Sequence, residues 1–210
     1  MSDELRAGVV GAGVFGGFHA KKYAELEGVR FIGVFDVDAP RAAELAAPLG
    51  GRAFADLESL LAEVDVVTIA TPAVFHAEAA LTALKAGKPV YLEKPLAVTL
   101  EDADRIVAEA ASRGLPDAVG HQERIVFQAM GLLDIPQKPL RLEAVRRGTP
   151  HQRNLDVSTV LDLMIHDLDL ALAPSGSRPA EVSAKPSSRA KPVVLAKVRA
   201  TKSISSEPEG

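Results

Sequence analysis

The stretch Val9-Val10-Gly11-Ala12-Gly13-Val14-Phe15-Gly16 decides the fold, because it places a G-x-G-x-x-G motif between an apolar run and an amphipathic stretch. Gly11 permits a tight turn, Gly13 lets a backbone approach a diphosphate, and Gly16 lets a helix pack close to a sheet. The N–H groups and the dipole at the start of that helix favour the negative charge of a diphosphate. We therefore predict a dinucleotide site that includes Gly11, Gly13, Val14, Phe15 and Gly16.

A carboxylate downstream of this motif indicates which dinucleotide is preferred. The second apolar run, Val29 to Phe35, ends at Asp36, and Asp36 lies 25 residues after Gly11. A carboxylate at this place accepts hydrogen bonds from both ribose hydroxyls of adenosine and repels a 2′-phosphate. We predict NAD as the cofactor, with NADP disfavoured. Arg41 is expected to be a solvated helix residue rather than a phosphate ligand.

Short apolar runs alternate with Ala-rich amphipathic stretches from residue 5 to about residue 120, which predicts a doubly wound parallel sheet of Rossmann type, because a parallel crossover needs a connection of helical length. The predicted strands are Ala7 to Val10, Val29 to Phe35, Asp65 to Ile69, Val90 to Leu92 and Ala118 to Val119. The predicted helices are Phe15 to Leu26, Arg41 to Leu49, Leu57 to Glu63, Ala77 to Ala86 and Leu100 to Arg113, with stops at Gly87 and Gly114.

After residue 120 the pattern changes, and a second domain is predicted over residues 120–210, following the first domain over 1–119. Its predicted elements are a helix from Glu123 to Leu133, a strand from Leu140 to Arg147, a helix from Ser158 to Leu172, a loop from Pro174 to Pro192 and a weak strand from Val193 to Ile204.

Composition narrows the class of protein. The 210 residues are 47% hydrophobic and 25% charged, which is typical of a globular protein. A net charge of -4 and an aromatic content of 4% disfavour binding to nucleic acid or to an anionic membrane. The sequence has no cysteine, no spacing typical of metal ligands, no basic leader and no long apolar run, so we expect a cytoplasmic protein without a metal.

Two further segments follow predicted strands, at the edge where open parallel sheets bind ligands. Ala70 to His76 comes after the fourth strand, and Glu93-Lys94-Pro95 comes after the fifth. Lys94 follows an apolar strand and precedes a proline, a position that directs its amine into the crevice. We add Thr71, Pro72, His76, Glu93 and Lys94 to the predicted cofactor site.

Taken in order, these motifs resemble the glucose–fructose oxidoreductase and inositol dehydrogenase family, and in particular its UDP-N-acetylglucosamine 3-dehydrogenase-like branch. Further matching segments are Ala86-Gly87-Lys88-Pro89-Val90, Gly120-His121 with Glu123-Arg124, and the stretch from Leu161 to Leu170. The resemblance runs from about residue 5 to residue 172. It implies an N-terminal Rossmann domain followed by an α+β domain with a large, mostly antiparallel sheet that carries substrate contacts and the oligomer interface.

The resemblance also implies that family members continue well past residue 210. We therefore expect the second domain to be incomplete, as roughly half of an α+β domain, with homo-oligomers forming through its sheet if that sheet can form. Two functions stay open. The first is an NAD-dependent oxidoreductase acting on a secondary alcohol of a sugar, cyclitol or nucleotide-sugar. The alternative is a dinucleotide-binding protein with little or no catalysis, because the sheet is shortened.

Oxidation of a secondary alcohol needs a base that titrates near neutrality and a cation beside the developing alkoxide. His166 is the natural base, Asp162 lies four residues earlier on the same predicted helix, and Lys94 supplies the charge. The resemblance assigns the same three positions. Either His166 is the base while Lys94 orients the hydroxyl, or Lys94 itself relays the proton.

Remaining charged residues receive weaker assignments. His121 and Arg124 begin the second domain and are candidate substrate ligands, since a guanidinium suits a phosphate or a carboxylate. Asp167 and Asp169 are expected to be solvated or capping charges. His19 is expected to be structural.

Overall fold

The computed structural model describes residues 4–134, 143–144, 157–158, 160–175, 179–185 and 195–200. The chain divides into two units, Met1–Gly120 and His121–Gly210. The predicted strand over Leu140 to Arg147 lies outside the described residues apart from positions 143 and 144.

A six-stranded, wholly parallel sheet organises the first unit, and its strand order is β3-β2-β1-β4-β5-β6. The sheet confirms the predicted Rossmann fold. Val10, the last residue of β1, pairs with Phe35 and with Ile69, so the loops after three neighbouring strands leave the sheet at one level. The strands are β1 (Leu5–Val10), β2 (Val29–Phe35), β3 (Arg52–Phe54), β4 (Val66–Ile69), β5 (Val90–Glu93) and β6 (Asp117–Gly120).

The helices of the first unit begin and end where local chemistry dictates. Asp38, Asp56 and Thr99 each accept a hydrogen bond from the backbone N–H three residues on, as N-cap side chains do. Gly87 and Gly114 have left-handed φ values of 74° and 62°, which confirms the two predicted stops. The helices are α1 (Val14–Glu25), α2 (Ala39–Ala46), α3 (Leu57–Leu61), α4 (His76–Lys85) and α5 (Leu100–Arg113).

Both faces of this sheet are covered by packed apolar side chains. Val9 and Val10 are consecutive on β1 and belong to different apolar clusters, because successive side chains of a strand point to opposite faces. Val9 packs in a cluster that α1 and α2 complete with Ala20 and Ala42. Val10 packs in the larger cluster, to which α3, α4 and α5 contribute. Thr68, Tyr91 and Glu93 alternate with members of the larger cluster, so they lie on the α1 face.

In the second unit, α6 (Gln122–Ala129) is shorter than predicted, since Gly131 takes a left-handed φ of 70°. A π-helical turn, Val160–Met164, leads directly into α7 (Ile165–Ser175). Strands β7 (Pro179–Lys185) and β8 (Leu195–Ala200) pair antiparallel, with Val182 opposite Val198.

Of the two strands in the second unit, one confirms a prediction and the other shows a prediction to be wrong. β8 confirms the weak strand predicted within Val193 to Ile204. The loop predicted from Pro174 to Pro192 is wrong over β7, because pairing with β8 overrides a local composition rich in proline, serine and lysine. The larger antiparallel sheet stays a prediction. None of the helices within the described ranges has the length and apolar character needed to cross a membrane.

Candidate functional site

The three glycines of the loop after β1 meet three different constraints. Gly11 has φ of 98°, and its N–H donates to the carbonyl oxygen of Phe35 at 2.8 Å. A Cβ on Gly16 would clash with the carbonyl oxygen of Gly11, so no side chain fits there without moving the loop. At Gly13, by contrast, no described atom lies within 4 Å of the place a Cβ would take. The loop is therefore closed on its protein side and open at Gly13.

The helix that follows this loop presents an N-terminus suited to an anion. Within the described residues, no side chain caps Gly13 and no acidic residue occupies the first turn of α1. The N–H of Gly17 donates to the carbonyl oxygen of Gly13 at 2.9 Å. The backbone N–H groups that precede Gly17 at the start of α1 have no carbonyl acceptor within the helix, so they are available to a ligand. The helix dipole adds partial positive charge at the same place.

Asp36 ties the end of β2 to the glycine loop. Its side chain is nearly buried, its Oδ2 accepts the N–H of Ala12 at 2.6 Å, and its Oδ1 accepts the N–H of Asp38 at 2.8 Å. The Arg41 guanidinium also donates to Oδ1, at 2.6 Å. Burial raises the pKa of Asp36, but the hydrogen bonds from Arg41, Ala12 and Asp38 outweigh it and lower that pKa below its ordinary value. Asp36 is therefore a fixed carboxylate at neutral pH.

Arg41 lies exposed on α2, as predicted, and it also forms an ion pair with Asp36 that was not predicted, while about half of its side chain stays exposed. The N-cap at Asp38 starts α2 at Ala39, and this start brings Arg41 within reach of the Asp36 carboxylate. The Asp38-Ala39-Pro40 signal was present in the sequence and could have indicated this contact.

His76 joins the two loops that follow β4 and β5. It is almost fully buried, with Nδ1 2.8 Å from the carbonyl oxygen of Pro95 and Nε2 3.0 Å from that of Thr71. Its ring therefore holds the Thr71-Pro72 loop against the Glu93-Lys94-Pro95 loop, and its predicted contact with the cofactor stays a prediction. Across the described residues, the Thr71 hydroxyl is one of the few buried side-chain polar atoms without a hydrogen-bond partner. A ligand at this edge would satisfy that hydroxyl.

Glu93 ends β5 beside the N-terminal helix, and Lys94 is the first residue after the strand. Glu93 pairs in the sheet with Gly120, and its Oε1 lies 2.7 Å from Nε2 of His19 on α1. Lys94 is half-buried, and its peptide bond to Pro95 is cis. The neighbouring Tyr91 has its pKa raised by burial and by the Glu93 carboxylate.

In the second unit, the predicted substrate residue Arg124 forms an ion pair on its own unit. Its Nε donates to Asp169 Oδ2 at 2.9 Å, and its Nη2 donates to Oδ1. Asp169 is 9% exposed, so the expectation that it is a solvated or capping charge is wrong. His121 Nδ1 lies 3.8 Å from the same carboxylate. Arg124 and Asp169 are 45 residues apart, and no local pattern indicates the pair.

Asp162 and His166 lie on either side of a change in helix type. Asp162 is in the π-helical turn, where its N–H donates to the carbonyl oxygen of Ser158 at 2.9 Å, and His166 is in the first turn of α7. Both side chains are half-buried. Turns of π type inside helices are frequent at functional sites.

The structure thus groups the predicted residues by unit. The glycine loop, Asp36, Thr71, His76, Glu93 and Lys94 all lie at or beside the carboxyl ends of strands in the first unit. His121, Arg124, Asp162 and His166 belong to the second unit. The expected meeting of Lys94 with His166 stays a prediction.

Comparison with known proteins gives a consistent result. Residues 5–121 match the family described as an oxidoreductase family with an NAD-binding Rossmann fold. The chain is 43% identical over 181 residues to UDP-N-acetylglucosamine 3-dehydrogenase of Acidithiobacillus ferrooxidans, an alignment that covers 86% of this chain and 57% of that enzyme. A solved structure of that enzyme aligns with a TM-score of 0.82 at 38% identity and covers 94% of this chain and 68% of that chain.

Two further proteins are similar over most of the chain. Inositol 2-dehydrogenase of Corynebacterium glutamicum is 33% identical over 197 residues, which is 88% of this chain and 58% of that enzyme. The structure of GenD2 from gentamicin A biosynthesis in complex with NAD aligns with a TM-score of 0.76 at 27% identity, covering 90% of this chain and 58% of that one. The chain spans a little over half of the length of the two dehydrogenases that it matches.

Proposed function

The chain belongs to the oxidoreductase family with the NAD-binding Rossmann fold, and from that premise we propose that it is an NAD-dependent dehydrogenase of sugar-type secondary alcohols. Membership confirms the family resemblance that the motifs indicate. The single observation that carries the cofactor assignment is Asp36, a carboxylate whose pKa is lowered and which is bonded to the N–H of Ala12 in the glycine loop. A carboxylate at this position accepts ribose hydroxyls and repels a 2′-phosphate, so NAD is favoured over NADP.

The residues of the first unit fit this cofactor. Gly13 leaves room for a diphosphate, and the N-terminus of α1 offers backbone N–H groups near Val14, Phe15 and Gly16. On the other side of β1, the Thr71 hydroxyl and the segment from Glu93 to Lys94 would hold the nicotinamide half. Pro72 and His76 shape that side of the site. When bound, NAD supplies the hydride acceptor.

The proposed catalytic residues are Lys94, His166 and Asp162. His166 takes the proton of the substrate hydroxyl at an imidazole nitrogen, because imidazole is the side chain that most often serves as a general base. Lys94 donates a hydrogen bond from Nζ to the same oxygen and stabilises the alkoxide that develops there. Asp162 orients the imidazole. The open alternative is that Lys94 itself relays the proton, taking it from the substrate hydroxyl as a neutral amine and passing it on as an ammonium.

The proposed substrate is a sugar or a cyclitol, and the more specific proposal is a nucleotide-sugar. The similarity to UDP-N-acetylglucosamine 3-dehydrogenase, which is higher than that to the inositol dehydrogenase, supports the nucleotide-sugar. About half of the Arg124 side chain is exposed, and this exposed part would bind an anionic group of the substrate. His121 lies near the same Asp169 carboxylate. Domains over 1–119 and 120–210, and a homo-oligomer formed through the second, are part of the same proposal.

The experiment is NADH formation by the full chain with UDP-N-acetylglucosamine and with myo-inositol, compared among wild type, Lys94→Ala and His166→Ala. Loss of the base or of the cation lowers kcat by about 100- to 10,000-fold, as removal of a general acid–base group does. We expect the dissociation constant for NAD, measured by calorimetry, to change by less than about threefold. Lys85→Ala is the matched control, because Lys85 is exposed at the end of α4.

Two results would count against this proposal. Equal losses of NAD affinity in Lys94→Ala and His166→Ala would assign both residues to cofactor binding. NAD binding without NADH formation in wild type, with either substrate, would favour the dinucleotide-binding alternative.

A further inference from the structure

One face of α1 is attached to the sheet by two side-chain hydrogen bonds, one helical turn apart. His19 Nε2 lies 2.7 Å from Glu93 Oε1 at the end of β5. Tyr23 OH lies 2.6 Å from Thr68 Oγ1, which is fully buried in β4. The helix that begins at the glycine loop is therefore linked directly to the residue that precedes Lys94.

The contact at His19 is enclosed and specific. The side chains of His19 and Glu93 are 22% and 14% exposed, and the His19 ring lies 5.2 Å from the Tyr91 ring between centroids. A carboxylate has only acceptor sites, so the hydrogen in this bond is on Nε2 of His19. A hydrogen bond to a charged group in such partly buried surroundings is stronger than one between neutral groups. Glu93 is held in one place.

The sheet order assigns this contact to one half of the cofactor. Asp36 follows β2, on one side of the glycine loop, whereas Glu93 is the last residue of β5, two strands away from β1 on the other side. A dinucleotide whose adenosine ribose lies at Asp36 and whose diphosphate lies at the loop extends toward β4 and β5. Glu93 therefore belongs to the nicotinamide half.

We propose that His19 is a positioning residue for the reacting end of the site, acting through Glu93 to fix the backbone that carries Lys94. This inference rests on the proposed function. Lys94 is joined to Glu93 by one peptide unit, so an anchored Glu93 side chain restricts the backbone dihedrals that aim the lysine. A reaction that depends on the position of one charged group slows when that group is displaced by even about 1 Å. Sequence alone indicated only a structural histidine.

The test compares His19→Ala, His19→Gln, Glu93→Ala and the double variant His19→Ala/Glu93→Ala in the full chain. Gln keeps an amide donor of similar reach, and it should restore most of what Ala removes. Tyr23→Phe is the matched control, because it removes the other hydrogen bond between the same helix face and the sheet while leaving the His19–Glu93 contact in place.

Three measurements are made. Amide hydrogen exchange of the segment 93–97, followed by mass spectrometry, reports the backbone without any substrate or cofactor. Calorimetric titration with ADP reports the adenosine and diphosphate half of the site alone. NADH formation gives kcat with whichever of UDP-N-acetylglucosamine and myo-inositol the wild-type chain oxidises.

For His19→Ala we expect exchange over 93–97 to rise at least fivefold and kcat to fall about 10- to 100-fold, the scale of a positional error in an active site. The affinity for ADP should stay within about threefold, since the contacts of adenosine and diphosphate lie at the loop and at Asp36. His19→Gln and Tyr23→Phe should resemble wild type in the exchange of that segment. The double variant should exchange no faster than Glu93→Ala.

The proposal is overturned if the affinity for ADP falls as far as kcat, because His19 would then serve the diphosphate loop. It is equally overturned if Tyr23→Phe matches His19→Ala, or if His19→Gln is no better than His19→Ala. A wild-type chain that makes no NADH would contradict the proposed dehydrogenase, whereas the exchange arm would still decide whether His19 holds this segment.

Discussion

Each glycine of the loop after β1 is required for a different reason, and the reasons separate folding from binding. Position 16 must be glycine because a Cβ there would clash with the carbonyl oxygen of Gly11, so the constraint comes from the protein itself and not from a ligand. No described atom of the protein lies within 4 Å of the place that a Cβ on Gly13 would take. We propose that the diphosphate fills this space. The same substitution at the two positions should therefore have different effects.

Gly13→Ala should weaken NAD binding by at least about tenfold, since a methyl group would occupy the approach to the diphosphate, while the melting temperature stays within about 2 °C. Gly16→Ala should lower both the affinity and the melting temperature, because its methyl group meets the backbone. Calorimetry with NAD and thermal unfolding followed by circular dichroism give the two quantities. If Gly13→Ala binds NAD as wild type does, the loop does not hold the diphosphate.

We propose that the pair of Asp36 and Arg41 sets the preference between NAD and NADP. Asp36→Asn keeps an acceptor for the N–H of Ala12 but removes the charge that repels a 2′-phosphate, so the preference for NAD should shrink about tenfold or more. Arg41→Ala removes the cation beside that position and should weaken NADP further while NAD changes less than about threefold. Dissociation constants for both dinucleotides test this. Parallel changes in the two constants would contradict it.

At the residue scale, the sequence was informative where backbone chemistry imposes a residue type. The spacing of the glycines and of Asp36 alone predicts that they lie close together, and the structure places all of them at the carboxyl ends of the neighbouring strands β1 and β2. The pairs Arg41–Asp36, Arg124–Asp169 and His19–Glu93 were not predicted. The partners in the last two are 45 and 74 residues apart, and only the folded chain determines which charge meets which.

At the scale of elements, the sheet is fastened at its amino-terminal edge by an ion pair between β1 and the residue before β4. The side chain and the N–H of Arg6 donate to the Asp65 carboxylate, at 2.6 to 3.0 Å. These hydrogen bonds from Arg6 lower the pKa of Asp65 to about 2. The ordinary value of 3.8 applies when the chain is unfolded, so the pair stabilises the fold above pH 4 and loses this contribution as the pH falls through about 2.

Asp65→Asn should therefore lower the urea midpoint of unfolding at pH 7, and the difference from wild type should narrow between pH 4 and pH 2. The effect should also shrink in high salt, because both side chains are more than a third exposed. Asp117→Asn is a control, since Asp117 is exposed at the start of β6. A difference that stays constant over the whole pH range would show that the Asp65 charge is not the cause.

Elements were predictable where the hydrophobic period extended over enough residues. Five of the six parallel strands and all five helices of the first unit were predicted, because each has an apolar run or an amphipathic face with a cap or a glycine stop. The strand β3 was missed, since three residues carry no period. In the second unit β7 was predicted as loop, because its pairing with β8 is not visible in its own composition.

At the scale of the whole molecule, the first unit carries the candidate cofactor residues and Lys94, and the second unit carries the candidate substrate residues with Asp162 and His166. The first unit holds the loop, Asp36 and the Glu93-Lys94 segment on a single sheet. The second unit holds Arg124, paired with Asp169, and the helical stretch with Asp162 and His166. The proposed chemistry needs both groups of residues, so we expect substitutions to separate cofactor binding from turnover.

The most direct test of the account is calorimetric titration of the full chain with NAD and, separately, with NADP. We predict one NAD bound per chain and an affinity for NADP that is at least about tenfold weaker, because Asp36 is held as a carboxylate beside the glycine loop. Absence of NAD binding, or tighter binding of NADP than of NAD, would contradict the account.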